Sequence, residues 1–266
     1  MSFTQPIDFR EESDALYALL KDVDEDRFDQ TTQFKDWTIN DVLGHLHFWN
    51  YMADLSMQDE DRFVSVLGEV MAETKVSGTL RSFEVKWRDG LSGKALLDTW
   101  HEFYQGMAER FAAADPKLRL KWAGPDMSAR SSITARLMET WAHGQEVYDA
   151  LGVVRADADR IKNIAVLGVN TFKFNHMINK IDVPETAPYV RLTAPSGAVW
   201  EFGEPSDDER IEGSATEFCQ TVTQTRNIAD TSLQVTGSVA TRWMAMAQCF
   251  AGAATPPPPP GTRKTQ

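Results

Sequence analysis

Cysteine is nearly absent from this chain. Cys219 and Cys249 are the only two in 266 residues, and neither belongs to a C-x-x-C or C-x-x-H pattern. That argues against a disulfide framework and against a thiolate-built structural zinc site, leaving two reduced, mostly buried thiols as the expectation. Positive charge is also in short supply: 27 Lys and Arg face 39 Asp and Glu, for a net charge of -12. An acidic surface repels phosphate backbones and anionic lipid, so neither nucleic acid nor a membrane is an expected partner. A small anionic substrate stays allowed, because a metal or a local Arg can reverse the field inside a pocket. No apolar run approaches the roughly 20 residues that a membrane span needs. The first residues, MSFTQPIDFREESD, are polar and acidic rather than leader-like, and the cytoplasm is the expected location.

What the chain does have is an ordinary globular composition, 42% hydrophobic and 25% charged, with helical periodicity over its first two-thirds. Helices are expected over 11–29, from Thr38 through about Ala53, over 93–113, over 129–151 and over about 156–180. The segment 56–92 reads as one helical piece around Phe63–Met71 followed by an irregular stretch with Gly78 and Gly90. Thr38 followed by Asp41 is a capping-box spacing. Near Val183-Pro184 the texture changes. Tyr189–Thr193 and Ala198–Phe202 alternate about a Pro195-Ser196-Gly197 turn, as a hairpin does. A strand at Arg210–Glu212, a helix from Gly213 to about Arg226, a strand at Ser232–Thr236 and a helix over 238–251 complete the reading. The expected fold is mainly α: a helical bundle of four or five helices over 1–182, a small α+β domain over 183–252, and a Pro-rich, disordered tail over 253–266.

Histidine is scarce too, with five in the chain, so each can be weighed. Glu139 and His143 are four residues apart on one helix and share a face one turn apart, a spacing that suits two ligands of one metal ion. Their face lies opposite the Ile133/Leu137/Trp141 stripe, yet carries Ala135, Ala142, Val147 and Ala150, so the helix reads as covered on two sides. A buried Glu beside a His needs a partner, and a cation is a good one. His45, on the shoulder of the apolar stripe of its own helix, is placed to meet the pair. Two imidazoles and one carboxylate make a three-ligand site with open positions, suited to zinc, or to Fe(II), Ni or Mn in a more octahedral form. A structural polar cluster is the competing reading. His47, His101 and His176 have no matching acid and read as structural or exposed.

Two segments resemble a known family. Trp37-Thr38-Ile39-Asn40-Asp41-Val42-Leu43-Gly44-His45-Leu46 is similar to the W-(S/T)-x-x-(D/E)-V-L-x-H-L signature of DinB-like metal proteins. Glu139-Thr140-Trp141-Ala142-His143-Gly144-Gln145-Glu146-Val147 resembles the E-x-x-x-H helix of the same superfamily. The branch it looks most like is that of mycothiol-dependent maleylpyruvate isomerases and uncharacterised metal-binding relatives. The resemblance implies that His45, Glu139 and His143 hold a divalent metal, usually zinc, and that a small C-terminal domain follows. It further implies mycothiol or another small thiol as co-substrate, for isomerisation or S-transfer on a small electrophile, which makes a small-molecule substrate and a thiol the expected partners. Arg226 stands where the isomerase branch uses an Arg, although Gln224-Thr225-Arg226 replaces a Gly-Arg ending; an ordinary cation near a helix C-terminus reads equally well. Trp37, Trp141 and the Trp122–Met127 loop could line the pocket or serve as core. A non-enzymatic or stress-response metal-binding protein, or a metal-dependent hydrolase, are the alternatives.

Overall fold

A computed structural model describes residues 3–264. The chain separates into two compact units, 1–150 and 151–266.

The first unit is helical. Pro6 sits in the first turn of α1 (Gln5–Leu20), where its missing N–H costs nothing. The helix stops well short of the expected residue 29, and residues Glu25–Asp29 form a separate 3-10 turn. The acidic run from Asp22 to Asp26 opposes the negative end of a helix dipole, which favours the break. Thr38 and Asp41 form the expected capping box at the start of α2 (Ile39–Gln58). The helical piece expected around Phe63–Met71 is α3 (Glu60–Ser77), which ends on Gly78 at φ 76°, and the stretch after it, expected to be irregular, holds a further helix, α4 (Leu80–Trp87), capped by the Thr79 side chain, which accepts from Ser82 N. α4 is two turns long, with Leu80, Phe83 and Trp87 as its apolar positions, too short for periodicity to announce it. α5 (Gly93–Ala113) follows, then a two-residue ribbon of β1 (Arg119–Leu120) and β2 (Met127–Ser128), and then α6 (Ala129–Ala150).

α1, α2, α5 and α6 pack as a bundle: α1 against α5 and α6, and α2 against the same two. Leu16, Leu43, Leu46, Trp100, Ile133, Leu137 and Trp141 are all buried there. α3 and α4 pack on α2 over a second apolar cluster of Phe48, Met52, Phe63, Val66 and Val70, fringed by Trp49, Phe83, Trp87 and Trp122. No described helix is long and apolar enough to cross a membrane.

The second unit is α+β. The helix expected over 156–180 is divided into a 3-10 turn at Asp159–Ile161, α7 (Lys162–Asn170) and α8 (Phe172–Ile178). The Thr171 hydroxyl donates to Gly168 O at 2.9 Å, a local bond that competes with helix continuation. β3 (Tyr189–Thr193) and β4 (Val199–Phe202) form the expected antiparallel hairpin. β5 (Arg210–Ser214) lies parallel to β3 and leads into α9 (Ala215–Val222); β6 (Gln234–Thr236) pairs antiparallel with β5 and precedes α10 (Ser238–Met246). The sheet order is β4-β3-β5-β6. The change of texture near 183 marks the approach to the sheet, but α7 is already part of this unit because it packs on α9. α9 ends at Val222, before Arg226, since the Thr223 hydroxyl bonds back to Cys219 O at 2.8 Å and Gln224 adopts φ 58°. Cys219 and Cys249 are buried and form no disulfide, as expected. The Pro-rich segment, expected to be disordered, is tied down instead. Gln224 Nε2 donates to Thr255 O at 2.8 Å, Asn227 Nδ2 to Pro258 O at 2.8 Å, and Gly261 N to Asp230 Oδ1 at 2.8 Å. Prolines have little chain entropy to lose, so a few such bonds hold them.

Candidate metal centre

Three side chains expected to meet do so within the first unit. His45 comes from α2, Glu139 and His143 from α6, and one donor atom from each lies within 4.8 Å of the others. Glu139 Oε2 is 3.5 Å from His45 Nε2 and 3.4 Å from His143 Nε2. Both separations lie at the long end of hydrogen-bonding distance. They match the spacing of about 3.4 Å between donors that each stand about 2.1 Å from a tetrahedral metal. The two imidazole rings are 4.8 Å apart at 68°, so both present nitrogen edges to the one carboxylate. The donor set, two imidazoles and a carboxylate, is one that zinc and the neighbouring divalent metals accept.

The surroundings orient these donors. Glu84 on α4 approaches the far side of His45, its Oε1 2.8 Å from Nδ1, and it also accepts the Trp49 indole N–H at 3.0 Å. A His Nδ1–H donated to a carboxylate leaves Nε2 as the free lone pair. α4 is itself held on α2 by Asp41, which accepts from Arg81 at 2.5 Å and lies 3.6 Å from Arg88 Nη2. Arg88 Nη1 donates to Asn40 O at 3.0 Å. Gly44 makes room for that arginine, since a Cβ there would stand 2.7 Å from Arg88 Cδ. Trp37 stacks on His143 at 5.7 Å and 10°, and Phe34 meets the same ring edge-on at 5.0 Å. The cleft is nearly closed: 11% of the His45 side chain, 20% of Glu139 and 12% of His143 remain accessible.

The three groups pull one another's protonation in opposite directions. Burial opposes charge on His45, but Glu84 and Glu139 outweigh it and lift its pKa to about 9. Burial pushes His143 down, and the charge on His45 adds to that. Burial acts against the Glu139 charge as well, yet hydrogen bonds from His143 and His45, with Arg136 nearby, hold its carboxyl well below the usual range. A buried cation-and-carboxylate cluster of this kind is what a divalent ion replaces.

Residues 9–148 match the family described as Mycothiol maleylpyruvate isomerase N-terminal domain. The chain belongs to this family. Its fold resembles the crystal structures of the mycothiol-dependent maleylpyruvate isomerase and of a mutant of that enzyme. For each, the TM-score is 0.51 at 16% identity, with 83% of this chain and 90% of the other covered. It is also 37% identical over 254 residues, 96% of this chain and 95% of the relative, to an uncharacterized protein of Mycobacterium tuberculosis found in two strains.

For this member of the maleylpyruvate isomerase family, the remaining expected site residues fall as follows. Trp37 lies against both imidazoles. Trp141 is buried in the bundle core with Leu137. Trp122 reaches Trp49 at 5.4 Å. Arg226 is in the second unit, buried, with Nη1 donating to Thr225 O at 2.8 Å. The other histidines are structural. His47 is buried between Trp87 and Phe103, and burial drops its pKa to about 4. His101 stacks on Tyr17 at 3.9 Å, and His176 Nδ1 bonds Phe172 O at 2.9 Å. The sequence reading missed Glu84, because its segment did not read as a helix. Leu80, Phe83 and Trp87 share an apolar face with Glu84 at its edge, but two turns are too few for that spacing to mark a helix.

Proposed function

We propose that this protein is a metal-dependent enzyme that uses a low-molecular-weight thiol, mycothiol or a close analogue, for isomerisation or S-transfer on a small carboxylate-bearing electrophile. The observation that carries the reading is the convergence of His45, Glu139 and His143 with Glu84 behind the first imidazole. A structural polar cluster needs no carboxylate fixing the tautomer of one member, whereas a ligand set does. Family membership supports the thiol and the electrophile. Zinc is the proposed metal, with Ni, Fe or Mn as substitutes.

In this reading His45, Glu139 and His143 hold the ion. When bound, it supplies Lewis acidity that keeps a thiol deprotonated near neutral pH. The protein does the rest. Glu84 keeps the His45 proton on Nδ1, so that Nε2 stays free for coordination. Trp37 and Phe34 fix the His143 ring and exclude bulk water from one side of the cleft. That lowers the local dielectric and strengthens every charge interaction inside it. Arg226 is proposed to neutralise a substrate carboxylate by a charge-assisted bond.

The test has two parts. Protein loaded with Co(II) should develop a thiolate-to-metal absorption band in the near ultraviolet on addition of mycothiol, and the band should be missing in His143→Ala. Conversion of maleylpyruvate or a related electrophile should then require added thiol. A metal-loaded protein that shows neither the band nor thiol-dependent turnover overturns the reading.

A further inference from the structure

Arg136 is the anomaly of the first unit. It lies on α6 three residues before Glu139, about 4.5 Å along the helix axis, and only 4% of it is exposed. Its Nε and Nη1 are sealed from solvent with no hydrogen-bond partner among the described residues. One aromatic contact is made, with the guanidinium carbon 5.4 Å from the ring centre of Trp122. Such a contact uses the flat face of the guanidinium and leaves its in-plane N–H groups free. Burial of an unpaired guanidinium is unfavourable, and native proteins avoid it unless an anion arrives. The path from Arg136 to the metal donors is continuous: Trp122 packs on Trp49, Trp49 donates to Glu84, and Glu84 holds His45.

We infer that Arg136 is the carboxylate-binding residue of the first unit, using its unpartnered N–H edge to receive the carboxylate of a small organic acid whose reactive end lies at the His45/Glu139/His143 cluster. A planar guanidinium edge, Nε with Nη2 or Nη1 with Nη2, matches a carboxylate better than a neutral amide or a hydroxyl does. Glu139 is the nearest competing anion; its charge is felt by Arg136 but is engaged by the two imidazoles. The inference rests on the proposed function for the location of the reactive end. The carboxylate site itself stands on Arg136 and Trp122.

The experiment compares wild type, Arg136→Met and His143→Ala by calorimetric titration with succinate and with succinamide as the neutral control, alongside metal analysis of each protein. Succinate should bind wild type, and succinamide should not. Arg136→Met should bind succinate at least about tenfold more weakly while keeping its metal. Arg136→Met should also melt at or above the wild-type temperature without ligand, because it replaces an unpaired buried charge by an apolar chain of similar length. Equal succinate affinity in Arg136→Met, or a melting temperature several degrees below wild type, overturns the inference. Absence of metal from wild type would instead sink the metal-centre reading, and succinate binding by Arg136 would still be measurable.

Discussion

Glu84 Oε1 lies 2.8 Å from His45 Nδ1, joining a short helix that does not read as one in the sequence to the imidazole that the sequence marks most clearly. Glu84 is almost fully buried and shares the same oxygen with the Trp49 indole. Replacing it by Gln keeps the shape but removes the charge that fixes the His45 proton. Glu84→Gln should weaken metal binding by about 10–100-fold with little change in helix content. Competition against a chelator, with circular dichroism as the control, measures this. An unchanged affinity would mean that His45 is held by packing alone.

The raised pKa of His45 makes metal uptake pH-dependent. Its folded value is about 9 against an ordinary 6.5. A histidine with a raised folded pKa contributes stability that is fully present below 6.5 and lost as pH climbs through 9. The metal-free protein should therefore lose this contribution between pH 6.5 and 9, whereas the loaded protein, in which the proton has already gone, should not. The apparent metal affinity should rise about tenfold per pH unit up to about 9 and then level off. Metal titrations from pH 6 to 10 give both the slope and the plateau.

Asp41 serves two structures at once. It closes the capping box, accepting from Thr38 N at 3.0 Å, and it anchors α4 through Arg81 and Arg88. Arg81 is more than a third exposed, so its pair adds little, and the cap with Arg88 carries most of the effect. Asp41→Asn should lower stability by about 1–3 kcal/mol and also weaken metal binding, since α4 carries Glu84. Chemical denaturation and metal titration on one variant test the linkage; lost stability with unaltered metal affinity would separate the two roles.

In the second unit, Gly168→Ala is expected to destabilise although alanine favours helices. A Cβ at 168 would stand 2.9 Å from one Val222 methyl and 3.2 Å from Phe218 Cε1, and both neighbours are buried. Overpacking costs about 1–3 kcal/mol, more than the roughly 1 kcal/mol gained in propensity. A lower melting temperature is the expected result, and a higher one would show that α7 and α9 can slide apart.

The bundle and the three candidate ligands were legible because their signals are local. His45 follows a capping box, and Glu139 and His143 are one turn apart on a long periodic helix. What stayed hidden depends on tertiary contact. α4 is two turns long and gains its stability from the aromatic cluster beneath it, so its sequence alone could not distinguish it from a loop. The Pro-rich tail gave a compositional signal for disorder, yet its order comes from Gln224, Asn227 and Asp230, far away in sequence. Arg136 was visible as one of few charges on its helix. Only the tertiary structure shows that its Nε and Nη1 meet no hydrogen-bond partner among the described residues.

Trp37 lies parallel to the His143 ring at 5.7 Å. His45, whose pKa is lifted to about 9, lies 5.2 Å from the same indole; imidazolium draws the excited electron of an indole more strongly than neutral imidazole does, so emission from Trp37 should brighten whenever His45 gives up its proton. The enclosure that shields the cleft thereby doubles as an optical gauge of its occupancy. Subtracting the emission of Trp37→Phe would isolate that gauge from the other tryptophans, allowing the filling of the cleft to be followed in real time without any added label.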